Sequence, residues 1–302
     1  MEGRKKSLSP HHDSDRKPID LASNPITGLH EWRGHTRDAI PWEILRGDVH
    51  NVLTTLPANK FHCVITSPPY FWQRDYQVEG QIGLESTIQG YVDAIIRVMA
   101  EVLRVLRSDG LLFLNLGDTY YSAKGEPKGA DRKNGARRFG LRAVDASGLG
   151  VSRKTIIGIP WRVANQMIDM GWTLRCPIVW HREGRIPEPT AKDRPWRSYE
   201  MLFMFSKSPR YHFNRKELGG EEDIWTISSR PKNSGGLHSA AFPDELVKKC
   251  LQVGCPEKGC VLDPFAGTGT VVRVAIESAR PATGIELSNR FCEHMVRELE
   301  TL

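Results

Sequence analysis

Phe61-His62-Cys63-Val64-Ile65 runs straight into Thr66-Ser67-Pro68-Pro69-Tyr70. The apolar run reads as a short buried strand. Two prolines stop it, because neither can donate to a strand ladder. They also hold the backbone extended, so the Pro68 carbonyl points away from the sheet. The product is a rigid corner at a strand end, where a hydroxyl, an exposed carbonyl and an aromatic ring lie close together. Open α/β sheets bind their ligands at such strand ends. For these five residues alone, a Pro-Pro turn with an incidental tyrosine is an equal alternative.

Downstream, Tyr91, Ile95, Val98, Met99, Val102, Leu103 and Leu106 recur at helical spacing. They predict an amphipathic helix from about 87 to 107. Ser108-Asp109-Gly110 should end it, and Leu111 to Leu116 reads as a buried strand of the parallel type. Strand, helix and strand make a βαβ unit, so the fold class is α/β. Upstream, Ile44-Leu45-Arg46-Gly47-Asp48 predicts a strand and turn, and folded structure should begin near Trp42. Residues 1–40 read as a basic, largely disordered tail. Arg4-Lys5-Lys6 within it fits a solvated tail or a localisation cluster.

Residues 119–155 are dense in Gly, Lys and Arg, including Arg132, Lys133, Arg137 and Arg138. A long basic loop in a compact domain is usually functional or disordered, and nucleic-acid contact competes here with an idle solvated loop. Pro160 to Met170 predicts a helix. Leu174–Trp180 and Tyr199–Phe205 predict paired strands. Between them Arg182, Arg185, Arg194 and Trp196 mix cations with an aromatic, a combination suited to phosphates and bases. Residues 206–236 are polar and form a candidate target-recognition segment. Pro243 to Val253 predicts another helix.

The second motif is Val261-Leu262-Asp263-Pro264-Phe265-Ala266-Gly267-Thr268-Gly269-Thr270. A strand end leads into a glycine-rich turn and then an apolar helix. Gly267 and Gly269 allow a ligand close to the backbone at a helix N-terminus. Glu286 follows the strand Ala282-Thr283-Gly284-Ile285, where a carboxylate can accept ribose hydroxyls. A dinucleotide fingerprint needs a third glycine where Val272 stands, and no P-loop Gly-Lys-Ser/Thr is present. Asp263 suits a cationic ligand group, such as the amino group of S-adenosylmethionine.

The two motifs together resemble the amino-methylating DNA methyltransferases in their permuted, β-class order. There the Asp/Asn/Ser-Pro-Pro-aromatic motif precedes Phe-x-Gly-x-Gly, as Ser67-Pro68-Pro69-Tyr70 precedes Phe265-Ala266-Gly267-Thr268-Gly269 here. The resemblance covers residues 44–302. It includes Ile82-Gly83-Leu84-Glu85 and the segment from His238 through Phe242-Pro243. It implies a Rossmann-like methyltransferase fold over 41–302, with a mostly parallel sheet, an antiparallel strand and helices on both faces. It implies S-adenosylmethionine as cofactor, held by Asp263, Pro264, Phe265, Gly267, Thr268, Gly269 and Glu286 with Asp48, His238 and Phe242. Ser67, Pro68, Pro69 and Tyr70 become the catalytic set. Double-stranded DNA becomes the partner, contacted by Arg132, Lys133, Arg137, Arg138, Arg185 and Arg194.

The chemistry suits those residues. An exocyclic base amine is a poor nucleophile, because its lone pair is delocalised into the ring. Hydrogen bonds to Ser67 and the Pro68 carbonyl favour a tetrahedral nitrogen that attacks the sulfonium methyl directly. No catalytic cysteine is needed, and Cys63 fits buried packing. The target atom lies inside the duplex, so the base is expected to flip out and stack on Tyr70. In this family a leading serine goes mostly with cytosine N4, and adenine N6 is the alternative product. A decayed, purely DNA-binding homologue would have lost the motif residues that are intact here.

Composition fits this reading. A net charge of +6 and a pI near 9.0 suit a polyanionic partner. The polar N-terminus lacks the apolar core of a secretory signal, and no apolar run approaches the ~20 residues of a membrane span. Six scattered cysteines suit a reducing compartment, so the bacterial cytoplasm or nucleoid, or a eukaryotic nucleus, is expected. Cys250, Cys255 and Cys260 lack a C-x-x-C pair, and buried thiols are expected there, not metal ligands. Neither the recognition sequence nor the choice between monomer and homodimer is legible.

Overall fold

The computed structural model describes residues 19–24, 29–123, 143–144, 148–184, 188, 191–229 and 242–302. Three strands come first, β1 (Ile19–Asn24), β2 (Leu29–His35) and β3 (Pro41–Arg46), followed by helix α1 (Val49–Thr55). The predicted βαβ unit is β4 (Phe61–Thr66), α2 (Ile88–Val105) and β5 (Leu106–Leu116). Then come α3 (Ile159–Asp169), β6 (Thr173–Glu183), β7 (Tyr199–Ser206) and β8 (Ile224–Ser228). The last part is α4 (Asp244–Gly254), β9 (Val261–Asp263), α5 (Thr270–Glu277), β10 (Ala282–Glu286) and α6 (Asn289–Leu299).

One sheet carries all the described strands, in the order β1-β2-β3-β10-β9-β4-β5-β7-β6-β8. From β3 through β10, β9 and β4 to β5 every pairing is parallel. β7 runs antiparallel between β5 and β6, and the sequence predicts the pairing of β6 with β7. Helices α1, α2 and α3 bury their apolar sides on one sheet face, and α4, α5 and α6 cover the other. Each parallel strand is therefore sandwiched, which is why β4 and β5 read as continuous apolar runs.

Helix α2 shows the local logic. The Thr87 hydroxyl accepts the Gly90 amide hydrogen at 3.0 Å and caps its N-terminus. Tyr91, Ile95, Val98, Met99 and Val102 are fully buried along one face, each contributing about 1.5–3 kcal/mol. The helix stops at Val105, and β5 begins at once with buried Leu106. This differs from the expected strand start at 111. Arg107, Ser108 and Asp109 do not terminate the helix; they form the solvent-facing beginning of the strand, where Leu106 pairs with Phe61.

The tail boundary also moves. The expected tail of residues 1–40 contains β1 and β2, and β2 pairs antiparallel with β3 from His30↔Arg46 to His35↔Pro41. Trp32 packs against the core beside Trp42 and Ile44, while Arg33 reaches Glu43 at 2.7 Å. One apolar ring on the inner face of an otherwise polar strand is enough to dock it beside β3. Residues 1–18, with Arg4-Lys5-Lys6, lie outside the described residues. In the 206–236 segment, β8 adds parallel to β6. Among the described residues no helix is long and apolar enough to cross a membrane.

Candidate active site

The sheet order reverses between β4 and β9. From β4 the chain crosses through α2 to β5 on one side; from β9 it crosses through α5 to β10 on the other. Diverging crossovers open a crevice at the carboxyl ends of the two strands, and ligands of open α/β sheets bind there. Both motifs leave from this place. Buried Thr66 at the end of β4 donates from Oγ1 to Oδ1 of buried Asp263 at the end of β9, at 2.7 Å. One hydrogen bond thus joins two motifs 197 residues apart.

A cavity of about 860 Å³ is lined by both motifs. Its walls include Ser67, Pro68, Pro69, Tyr70, Asp263, Pro264, Phe265, Gly267, Thr268 and Glu286, together with Asp48 and Phe242. Asp48 has a second task, since its Oδ1 accepts the Asn51 amide hydrogen at 3.0 Å and caps α1. His238, Arg132, Lys133, Arg137, Arg138 and Arg185 lie outside the described residues. Arg194 is placed over the Tyr120 ring, 3.9 Å from its centroid, and paired with Glu188 at 2.8 Å.

The two glycines of the second motif differ. Gly267 has φ +54°, and a Cβ there would meet nothing within 4 Å. Gly269, at φ +87°, does not line the cavity; a Cβ there would stand 2.5 Å from Met295 Cγ of α6. Gly269 therefore lets α5 start close against α6, and Gly267 keeps the loop open to the cavity. Gly267→Val would place a branched side chain in a left-handed conformation and in the ligand space. We expect cofactor affinity to fall at least ~30-fold, checked by calorimetry on a variant with native circular dichroism. Normal affinity in that folded variant would remove Gly267 from the site.

Two carboxylates dominate the electrostatics. Asp263 accepts hydrogens from Thr66 Oγ1 and from the Phe265 amide at 3.0 Å. Glu286 accepts the Gly267 amide hydrogen at Oε2 (2.9 Å) and the Ser288 amide hydrogen at Oε1 (2.7 Å). Among the described residues no cation pairs with either. Burial pushes both up to about 7, against the pull of those hydrogen bonds. A carboxylate buried without a countercharge, as Asp263 is among the described residues, is costly unless a cationic ligand completes it, and half-buried Glu286 shares part of that cost. S-adenosylmethionine, with its ammonium and sulfonium groups and a ribose diol, fits this donor set. Each Glu286 oxygen, holding one amide, has a second lone pair for a ribose hydroxyl.

The first motif is braced from several sides. The Tyr91 hydroxyl of α2 donates to the Pro69 carbonyl at 2.9 Å. The Tyr70 ring packs on Gly117, where a Cβ would come within 2.3 Å of it. Its hydroxyl lies 2.7 Å from Asn115 Oδ1, 2.7 Å from Glu200 Oε2 and 3.2 Å from Ser67 Oγ. Burial and the Glu200 carboxylate hold the Tyr70 phenol well above its usual range, so it stays protonated. Arg182 Nη1 donates to Glu200 Oε1 at 2.6 Å.

Asn115 and Glu200 were not among the sequence candidates, and Arg182 stood there only as a cation suited to phosphates. Asn115 had a signal: one polar residue inside the apolar run Leu111–Leu116 must find a partner when buried. The link from Glu200 and Arg182 to Tyr70 had none, because only the β5-β7-β6 pairing brings them together.

Comparison with known proteins agrees with this geometry. Type II methyltransferase M.Cfr9I of Citrobacter freundii is 38% identical over 292 residues, covering 94% of this chain and 96% of that protein. Type II methyltransferase M.XycI of Xanthomonas campestris pv. cyanopsidis is 39% identical over 257 residues, covering 82% and 84%. The PvuII DNA methyltransferase (cytosine-N4-specific) shares the fold with a TM-score of 0.66 at 20% identity, over 84% of this chain and 85% of that one. A Thermus thermophilus protein complexed with S-adenosyl-L-methionine shares it with a TM-score of 0.56 at 24% identity, over 84% and 92%. Residues 61–297, which carry both motifs, match the DNA methylase family, and the chain belongs to that family.

Proposed function

We propose that this protein transfers the methyl group of S-adenosylmethionine to the N4 amine of a cytosine in double-stranded DNA. The observation that carries this reading is the shared cavity. A serine-headed Pro-Pro corner, buried Asp263 and half-buried Glu286 line it together, neither carboxylate paired with a cation among the described residues, and the Thr66–Asp263 hydrogen bond links the two motifs. Asp263 takes the cationic end of the cofactor and Glu286 the ribose hydroxyls, with Pro264, Phe265, Thr268, Asp48 and Phe242 as walls. Ser67 Oγ and the Pro68 carbonyl accept the two amine hydrogens of a base turned out of the duplex. Among the described hydrogen bonds none occupies the Pro68 carbonyl, whereas that of Pro69 is taken by Tyr91. Alignment of amine and methyl in one cavity supplies much of the rate. Arg132, Lys133, Arg137, Arg138 and Arg185 lie on segments that would contact DNA phosphates.

Cytosine is favoured by Ser67, a neutral hydroxyl at the position where an acidic residue goes with adenine in similar enzymes. DNA from cells expressing the protein, digested to nucleosides and weighed by mass spectrometry, is expected to contain N4-methylcytosine. Finding N6-methyladenine alone would reject the base assignment and leave the roles of Asp263 and Ser67 standing.

A further inference from the structure

We propose that Glu200 receives the proton that the methylated amine must shed, by way of Ser67 and Tyr70. This rests on the amine methylation proposed above, but not on which base is the target.

Counting protons at the Tyr70 hydroxyl leads there. Two oxygens, Asn115 Oδ1 and Glu200 Oε2, each lie 2.7 Å from Tyr70 Oη. The Asn115 amide is oriented by its Nδ2, which donates to the Met201 carbonyl at 3.1 Å. Oδ1 therefore faces Tyr70 and can only accept. A phenol carries one hydrogen, so with Glu200 ionised only one of these two short contacts is a hydrogen bond. One more proton, on Glu200 Oε2, satisfies both: Glu200 donates to Tyr70, and Tyr70 donates to Asn115. The cluster is shaped for one proton more than an ionised glutamate brings.

Its connections place that proton on a route from the substrate. Ser67 Oγ, at the base end, lies 3.2 Å from Tyr70 Oη. Arg182 holds the far oxygen of Glu200 at 2.6 Å, with only 12% of the Glu200 side chain exposed, so the carboxylate is fixed when ionised. The other carboxylates of the cavity are engaged elsewhere. Asp263 is bound to Thr66, Glu286 to Gly267 and Ser288, and Asp48 to Asn51.

The step balances. The amine lone pair forms the new nitrogen–carbon bond as the carbon–sulfur bond breaks, and that electron pair stays on sulfur. The nitrogen is left cationic with one hydrogen to lose. Its proton passes to Ser67 Oγ, the Ser67 proton to Tyr70 Oη and the Tyr70 proton to Glu200 Oε2. The sulfonium charge and the Glu200 charge are both gone at the end, and the amine is neutral. The exocyclic lone pair is delocalised into an electron-poor nucleobase ring, so the ammonium formed on it is far more acidic than a carboxylic acid and the transfer runs downhill. Glu200 touches no reacting atom and acts through Tyr70.

Glu200→Gln and Tyr70→Phe test the route, and Tyr70→Phe leaves the Arg182–Glu200 pair intact. Each is expected to slow single-turnover methylation of a bound duplex about 100-fold. The double variant should be no slower than either single one, because both changes break one relay. S-adenosylmethionine affinity, and the fluorescence rise of 2-aminopurine at the target position, should stay within about twofold. Difference infrared spectra after one turnover should show a new carboxylic-acid carbonyl band in the wild type that Glu200→Gln lacks. A wild-type single-turnover rate in Glu200→Gln, or multiplying losses in the double variant, would overturn the proposal. If the wild type methylates no base at all, the functional reading itself has failed, a result separate from either of these.

Discussion

Ser67→Ala is expected to lower turnover by about 100- to 1,000-fold while S-adenosylmethionine affinity stays within about twofold. The hydroxyl lies on the side of the cavity formed by Tyr70 and Asn115, within 3.2 and 3.4 Å of them. On the proposed assignment the cofactor side is that of Asp263 and Glu286, and among the described residues Ser67 bonds to neither. Loss of Oγ removes one acceptor for the amine and the first link of the proton route, so the loss should appear in the chemical step. Rapid-quench methylation with saturating cofactor reads that step, and calorimetry reads the affinity. Equal losses in both would move Ser67 into the cofactor site and overturn the assignment.

Asp263→Asn should weaken S-adenosylmethionine binding about 10- to 100-fold at pH 8, the worth of a charge-assisted hydrogen bond of about 1.5–3 kcal/mol. The pH dependence is the sharper signature. Asp263 and Glu286 are both pushed up to about 7 in the free protein, and a cationic ligand favours their ionised forms. Binding therefore releases protons around neutrality, and wild-type affinity rises as pH increases through 7. Asp263→Asn should flatten much of that rise. Calorimetry in buffers of different ionisation enthalpy counts the protons directly.

Stability runs the other way. A carboxylate whose folded value lies above its unfolded one stabilises the fold fully below the unfolded value, near 4, and loses this as pH rises through 7. The cofactor-free protein should melt at a lower temperature at pH 8 than at pH 6, and saturating cofactor should narrow the gap. The fall from pH 6 to pH 8 should be smaller in Asp263→Asn than in the wild type, and an equal fall would refute the burial argument for Asp263.

The parts of this site carried by contiguous residues were legible in the chain. β4 with its Pro-Pro corner, α2 with its buried face and the glycine turn after Asp263 each announce themselves within about twenty residues. The β6–β7 pair was legible too, since each strand carries a short apolar run, Pro177–Trp180 and Met201–Phe205. β2 was not, because Trp32 is the one large apolar ring on its inner face, and the neighbouring Glu31, Arg33 and His35 point to the other face. The base side was legible at the Pro-Pro corner and, as a lone polar residue in an apolar run, at Asn115. Asn115, Arg182 and Glu200 come from three strands whose adjacency is a matter of sheet order, and no spacing in the chain encodes that order. Cys63, expected as strand packing, is fully buried.

The bond between Thr66 and Asp263 bears on how such a chain can be rearranged. The working centre is a seam between two neighbouring strands, and nothing in that seam depends on which strand is synthesised first. Helix α6 packs across β3 and β10, so this helix rests on the strand that starts the parallel half of the sheet. A gene that opened ahead of α4 and ran from α6 into β3 would place the glycine turn before the Pro-Pro corner. The same strands would still bring the two strand ends together. The seam thus depends on the order of strands in the sheet and not on their order in the chain.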